Sequence, residues 1–204
     1  MQKAIITYLF SMINRTSKID WLNLLSKKNN ANRFLHFIYS NNMQFSPKQM
    51  EQLKFALETG LTMSQMLILA KPHFDPYQME QIRWGFEENL KIEQINLFAN
   101  PNFTTYQMQT IRFSFTQGLN LEEVKLLAKK EFSQSQMLAI LWCFTIGLTM
   151  KQINLIANPK FSVPQMEEIR LGFHDGLSFQ KVESYANPKF SLSEMREKRL
   201  SFKF

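Results

Sequence analysis

The sequence predicts an all-α protein, an α-solenoid of tandem helix-turn-helix repeats, with five full units of 29 residues and a truncated sixth. Three observations carry that prediction. Residues recur at a fixed step without insertion, each unit holds start and stop signals for two helices, and one helix pair alone cannot bury its apolar face. Phe45, Phe74, Phe103, Phe132, Phe161 and Phe190 keep the 29-residue step. So do Met50, Met79, Met108, Met137, Met166 and Met195, the leucines Leu61, Leu90, Leu119, Leu148 and Leu177, and Ala70, Ala99, Ala128, Ala157 and Ala186. The resulting organisation is a degenerate basic helical cap over residues 1–41, a five-repeat solenoid over 42–186, and a truncated sixth repeat over 187–204.

The first helix of each unit opens with a capping box: Ser46 with Gln49, Asp75 with Gln78, Thr104 with Gln107, Ser133 with Gln136, Ser162 with Gln165, and Ser191 with Glu194. The cap oxygen accepts an orphan backbone N–H, and the residue three positions on reaches back to the cap. The phenylalanine before each cap and the methionine after it form a hydrophobic staple. About 13 residues later, by the positions of these signals, Gly60, Gly118, Gly147 and Gly176 supply the left-handed conformation that stops a helix, with Asn89 standing in.

A second cap opens a shorter helix at Thr62 with Gln65, Asn120 with Glu123 and Thr149 with Gln152. Lys91 breaks that pattern, so the second unit's short helix is expected to be less firmly fixed. Met63, Met66 and Leu69, then Ile92, Ile95 and Phe98, have helical spacing. Asn-Pro at 100–101, 158–159 and 187–188 should end the short helix, because proline disfavours helical geometry in the residue before it. Before the array, Trp21, Leu24 and Leu25, then Phe34, Leu35 and Ile38, read as a degenerate helical pair.

Two apolar stretches raise the question of export or membrane insertion. Ala4 to Ile13 follows Lys3, but Asn14-Arg15-Thr16 offers no small-residue cleavage site, so a buried or docked helix is the reading. Ser133 to Met150 is uncharged, yet it contains Gln134, Ser135, Gln136 and Gly147 and keeps the repeat register, which argues against a transmembrane span. A single cysteine excludes an intramolecular disulfide and fits a reducing cytoplasm.

The net charge of +7 is uneven. Residues 1–41 carry six basic groups and one acid, residues 42–186 thirteen and fourteen, and residues 187–204 five and two. A neutral body with basic ends does not make a continuous nucleic-acid track, which would need a basic stripe along its length.

Catalytic and metal chemistry find no constellation. His36, His73 and His174 occupy different repeat positions, and Cys143 is the only thiol. Cys143 shares its slot with Ala56, Gly85, Ser114, Gly172 and Ser201, a slot that demands a small residue where helices approach. No phosphate-cradling loop or nucleophile elbow occurs, and no cofactor is expected. The expectation is a non-enzymatic protein.

Three departures from a uniform scaffold point to binding. A ladder of cations, Lys54, Arg83, Arg112, Arg170 and Arg199, is interrupted by Leu141 and could read an anionic surface. Its structural alternative is pairing within each helix, as Glu51–Lys54, Glu80–Arg83, Arg83–Glu87 and Glu167–Arg170 allow. An apolar column at Phe55, Trp84, Phe113, Trp142, Leu171 and Leu200 lies out of phase with the inner face of Met50, Leu53 and Leu57. It is either an interface or packing against a neighbouring unit. The fourth unit replaces charge with Leu138, Ala139, Leu141 and Ile146, so its first helix is apolar nearly all round. Such a helix calls for cover by a partner, a second copy or the N-terminal segment. Leu138, Leu141, Trp142, Ile146, Trp84 and Phe113 are therefore the candidate partner-binding residues.

The unit Asn158-Pro159-Lys160-Phe161-Ser162-Val163-Pro164-Gln165-Met166-Glu167-Glu168-Ile169-Arg170-Leu171-Gly172-Phe173-His174-Asp175-Gly176-Leu177 resembles a repeat of proteins from low-GC Gram-positive bacteria, their plasmids and their phages. The resemblance covers residues 42–204 and implies a genomic setting rather than an activity. A mobile-element setting implies a small protein that binds and disables host machinery, of the anti-defence or anti-CRISPR kind. Lys91, Lys129-Lys130 and the charge-free fourth unit depart from the pattern. The leading expectation is a solenoid that binds a protein, including one within a nucleoprotein complex. Direct nucleic-acid binding by the basic ends and a structural homo-oligomer are the alternatives.

Overall fold

The computed structural model describes residues 29–202, and every regular element among them is a helix. In chain order these are α1 (Asn29–Ser40), α2 (Pro47–Glu58), α3 (Met63–Leu69), α4 (Pro76–Glu87), α5 (Ile92–Phe98), α6 (Thr105–Thr116), α7 (Leu121–Leu127), α8 (Gln134–Thr145), α9 (Met150–Ile156), α10 (Val163–His174), α11 (Phe179–Tyr185) and α12 (Leu192–Ser201). Long helices of twelve residues alternate with short ones of seven, until α12 with ten. The chain divides into two compact units, one ending at Thr105 and one beginning at Tyr106. Within each, helices pack in sequence order, the solenoid-like all-α arrangement that the repeat predicts. Long helix packs on long helix (α2 on α4, α8 on α10, α10 on α12), and short helices such as α3 and α9 wedge between the two.

The start signals act as read. Ser46, Asp75, Ser133, Ser162 and Ser191 accept the N–H of the third helical residue, whose side chain accepts the cap's own N–H. Lys91 has no cap oxygen to offer, yet Gln94 still accepts its N–H at 2.8 Å and α5 keeps seven residues. The stop signals also act as read: Gly60, Gly118, Gly147 and Gly176 have φ of 77° to 90°, and Asn89 has φ 62°. Beyond Gly60, Leu61 N–H donates back to Ala56 O at 3.0 Å, the six-residue closure of a Schellman motif.

Proline is not what ends the short helices. α7 stops at Leu127 before Ala128-Lys129-Lys130, and α5 stops at Phe98 before Ala99-Asn100-Pro101. In each case the alanine adopts φ near −75° and ψ near 60°, an inverse γ-turn (φ −78°, ψ 60° at Ala128; φ −70°, ψ 62° at Ala99). The next N–H closes it: Lys129 to Leu127 O at 2.8 Å, Asn100 to Phe98 O at 2.7 Å. The alanine column marks this turn.

Of the N-terminal reading, Phe34, Leu35 and Ile38 are buried in α1, which packs on α3. Trp21, Leu24, Leu25 and the 4–13 stretch lie outside the described residues.

What joins one repeat to the next is the capping glutamine. Gln49 Oε1 accepts Ser46 N–H at 2.7 Å, while its Nε2 donates forward to Pro72 O at 3.0 Å and Phe74 O at 2.6 Å. Gln78 donates to Pro101 O and Phe103 O at 3.2 and 2.7 Å, and Gln107 to Lys130 O and Phe132 O at 3.2 and 2.6 Å. Gln136 and Gln165 do the same to Pro159, Phe161, Pro188 and Phe190. These glutamines are buried, and the carbonyls they serve belong to the loop that opens the next unit. In the last unit Glu194 accepts Ser191 N–H at 2.6 Å, which pulls its carboxyl below the usual range, and a carboxylate has no N–H to send forward.

The small-residue slot is set by volume. A Cβ on Gly172 would meet Tyr185 Oη at 1.8 Å, and one on Gly85 would meet Ile95 Cδ1 at 2.5 Å and Phe98 Cζ at 2.9 Å. The slot and its partner thirteen residues on are size-matched: Gly with Phe98 or Tyr185, and Ala56, Ser114 or Cys143 with Leu69, Leu127 or Ile156.

Two stability measurements check this account. Gln136→Met keeps the apolar stem but strands two carbonyls and a cap N–H, so chemical denaturation should show a loss of about 2–4 kcal/mol, against about 1 kcal/mol for Gln152→Met, which serves only a cap. Gly172→Ala should lose about 1–3 kcal/mol by overpacking, and a double-mutant cycle with Tyr185→Leu should recover most of it.

Candidate functional site

The cation ladder is built into the scaffold. Lys54 Nζ lies 3.3 Å from Glu58, and Arg83 lies 2.6 Å from Glu87 and 3.9 Å from Glu80. Arg170 binds Glu167 through both carboxylate oxygens, and that contact holds the Glu167 carboxyl below its usual range. Pairing within the helix thus describes these three cations, although Lys54 meets Glu58, four residues on, and not the expected Glu51. Arg83 also donates to Gln52 Oε1 of the preceding repeat at 3.3 Å and lies 5.7 Å from the Phe55 ring centre.

Arg199 makes the same backward reach in its strongest form. Its Nε donates to Glu168 at 2.8 Å and its Nη1 to Asp175 at 2.5 Å, while Arg196 reaches the other Glu168 oxygen at 3.0 Å. Glu168 and Arg199 are both buried, so this cluster ties α12 to α10 in place of an anion site. Tyr185, buried beside it, donates its hydroxyl to Glu168 O at 3.1 Å, and burial pushes its phenol well above the usual range. Sequence reasoning missed this cluster. The available clue was a glutamate at the slot that Gln52, Gln81, Thr110 and Ala139 fill elsewhere.

The apolar column has an outer face. Phe55, Phe113, Trp142 and Leu200 are exposed, whereas Trp84 and Leu171 are half-buried. In the fourth repeat Leu138 is 44% exposed, Trp142 57% and Ile146 39%. Leu141 is different: at 5% exposure it is buried, so it belongs to the core and not to a docking face. The physical reason is its slot, where the stems of Lys54, Arg83 and Arg170 are already covered to within 12–22% exposure and only their charged heads emerge. Leucine there has no head to extend.

Arg112, Phe113 and Leu138 come together. With Gln109, Thr110 and Gln134 they line a cleft of about 280 Å³ between α6 and α8. Ile146 caps the C-terminal end of α8, and Trp142 stands between it and Leu138 at steps of four. Cys143, the remaining nucleophilic group, is buried and free, and desolvation pushes its thiol up to about 12, against the pull of Arg170. Burial and a raised pKa suit the packing role of its small-residue slot. Among the described residues no three His, Cys, Asp or Glu side chains cluster to hold a metal, and no helix is long and apolar enough to cross a membrane.

No protein-family model matches the chain, and no curated protein and no solved structure matches it either.

The buried ion cluster separates from the surface pairs by magnitude. Glu168→Ala leaves Arg199 buried without its main partner and should lower unfolding free energy by about 3–5 kcal/mol, whereas Glu167→Ala, at a solvent-facing pair, should cost below about 1 kcal/mol. Equal losses in urea titrations would refute the assignment of Glu168 as the structural anchor.

Proposed function

We propose that the chain is a non-enzymatic repeat scaffold that binds a protein through the outer face of α6 and α8. The observation that carries this reading is the exposure of Phe113, Leu138, Trp142 and Ile146, the first two of which line a cleft. A helix face that keeps a tryptophan and three further large apolar side chains in water costs solvation free energy, on the order of 25 cal/mol per Å² of apolar surface. Contiguous exposure of that kind marks an interaction surface, and tryptophan is among the residues that dominate such interfaces. The cation ladder supports the protein reading over a nucleic-acid track, since Lys54, Arg83, Arg170 and Arg199 already face carboxylates of the chain itself.

The resemblance of the repeat to those of low-GC Gram-positive bacteria and their mobile elements supports a finer proposal: a cytoplasmic protein that binds and inhibits host machinery. A single buried free thiol suits that compartment.

Affinity capture from a lysate of such a bacterium, with nuclease treatment, tests the reading. Wild type should retain a protein after nuclease, and Leu138→Asp, with unchanged circular dichroism, should lose it. Capture that survives Leu138→Asp refutes the face, and capture abolished by nuclease alone moves the reading to nucleic acid.

A further inference from the structure

In the unit beginning at Tyr106, three loops lead from a short helix into the next long one: residues 128–133, 157–162 and 186–191. We infer that the edge formed by these loops binds a single strand of nucleic acid, with Lys129, Lys130, Lys160 and Lys189 meeting phosphates and the ring of Tyr106 stacking on a base. The site is separate from the outer face of α6 and α8 and does not depend on the reading of that face.

Placement gives the first argument. The capping glutamines hold the three loops in line: Gln107 donates to Lys130 O at 3.2 Å, Gln136 to Pro159 O at 3.0 Å and Gln165 to Pro188 O at 3.4 Å. Asn158 and Asn187 then accept the N–H of Lys160 and Lys189, each at 3.0 Å, which fixes the backbone from which those side chains leave. The long helices α8, α10 and α12 that follow the loops pack on one another in turn. Packed helices lie about 8–10 Å apart, so two steps carry the lysines along about 16–20 Å. At about 3.4 Å per nucleotide of a stacked strand, that is the length of about five or six nucleotides.

Charge gives the second. All four lysines are exposed, and among the described residues none of them forms an ion pair. The three loops hold one acid, Glu131, and α6, α8 and α10 carry no acid in the first turn. Helix stability does not account for this arrangement. The N-terminal end of a helix carries partial positive charge, so a carboxylate beside it is favourable and a lysine is not. The near-neutral total over residues 42–186 thus conceals a local excess: Glu167 and Glu168 are held by arginines, while these lysines face solvent.

The aromatic ring selects the class of partner. Tyr106 is 64% exposed, and it adjoins Gln107, whose amide holds the Lys130 loop. Bases stack on such a ring face, and the ammonium of lysine is a compact point charge that meets a phosphate without a planar fork. In a duplex the base faces are already covered, so the ring favours a single strand. A bilayer surface or an acidic protein groove asks for apolar side chains at the contact, and none of the three loops exposes a large one.

Fluorescence anisotropy of the full chain with a labelled, mixed-sequence single strand of about 15 nucleotides, as DNA and as RNA, tests the inference. Log affinity should fall with log salt at a slope of about −3, the value for four phosphate contacts on a single strand. Lys160→Ala combined with Lys189→Ala should bring the slope to about half and lower affinity about tenfold or more at low salt. Tyr106→Ala should weaken binding about fivefold or more without changing the slope, and Tyr106→Phe should bind as wild type does. Leu138→Asp should leave oligonucleotide binding intact. No anisotropy change at low salt, or a lysine double variant that binds like wild type, overturns the inference. Binding of a duplex, of poly-glutamate or of anionic vesicles as tight as that of the strand, with Tyr106→Ala neutral, assigns the edge to polyanions at large and overturns the single-strand assignment. Loss of oligonucleotide binding in Leu138→Asp, with the lysine variants unaffected, moves the site to the α6–α8 face and overturns its placement here. Failure of protein capture alone leaves this edge standing, because its readout is the oligonucleotide.

Discussion

A single amide side chain performs two tasks in this fold, and the stacking of the repeats depends on both. The oxygen of Gln49, Gln78, Gln136 or Gln165 closes the capping box of its own helix, and the nitrogen donates to two carbonyls 23 and 25 residues further on. The cap fixes where the long helix begins. The forward bonds fix where the next loop lies against it. Because these groups are buried, leaving a carbonyl unmet would cost more than the net value of the bond. An insertion between the glutamine and the next phenylalanine would break that geometry, which is why the 29-residue step never slips.

With register held this way, charge and volume can vary from unit to unit within fixed limits. The small slot trades size with its partner thirteen residues on, from Gly85 with Phe98 to Cys143 with Ile156. The ladder position takes a cation where a glutamate or glutamine can meet it, and a leucine where α8 carries no charge. The outer face takes whatever the scaffold does not use. In α2 and α4 that face is rich in glutamate; in α6 and α8 it is aromatic, aliphatic and free of carboxylates. Departure from the repeat thus concentrates in the two helices that line the cleft.

Much of the fold was legible because its signals act within one turn of chain. A cap serine and the residue three positions on, or a glycine at positive φ, solve their hydrogen bonding locally, so the pattern names the helix ends. One local inference named the wrong cause: the short helices end in an alanine γ-turn with or without proline. The glutamine clamp was also half visible. A capping box accepts Glu or Gln alike, so five glutamines in a row, with Glu194 only in the last unit, signal that the N–H₂ is used.

The sequence by itself determined the helix boundaries and the repeat, because each depends on residue type and short spacing. Only the tertiary structure decided that Leu141 is core while Leu138 and Trp142 are surface, that Arg199 is held by buried Glu168, and that Arg112, Phe113 and Leu138 share one cleft. Those facts depend on which helix face the neighbouring unit covers. Coverage is set by stacking across about a repeat length, through bonds such as the 31-residue reach from Glu168 to Arg199, and helical periodicity within one segment carries no information about it.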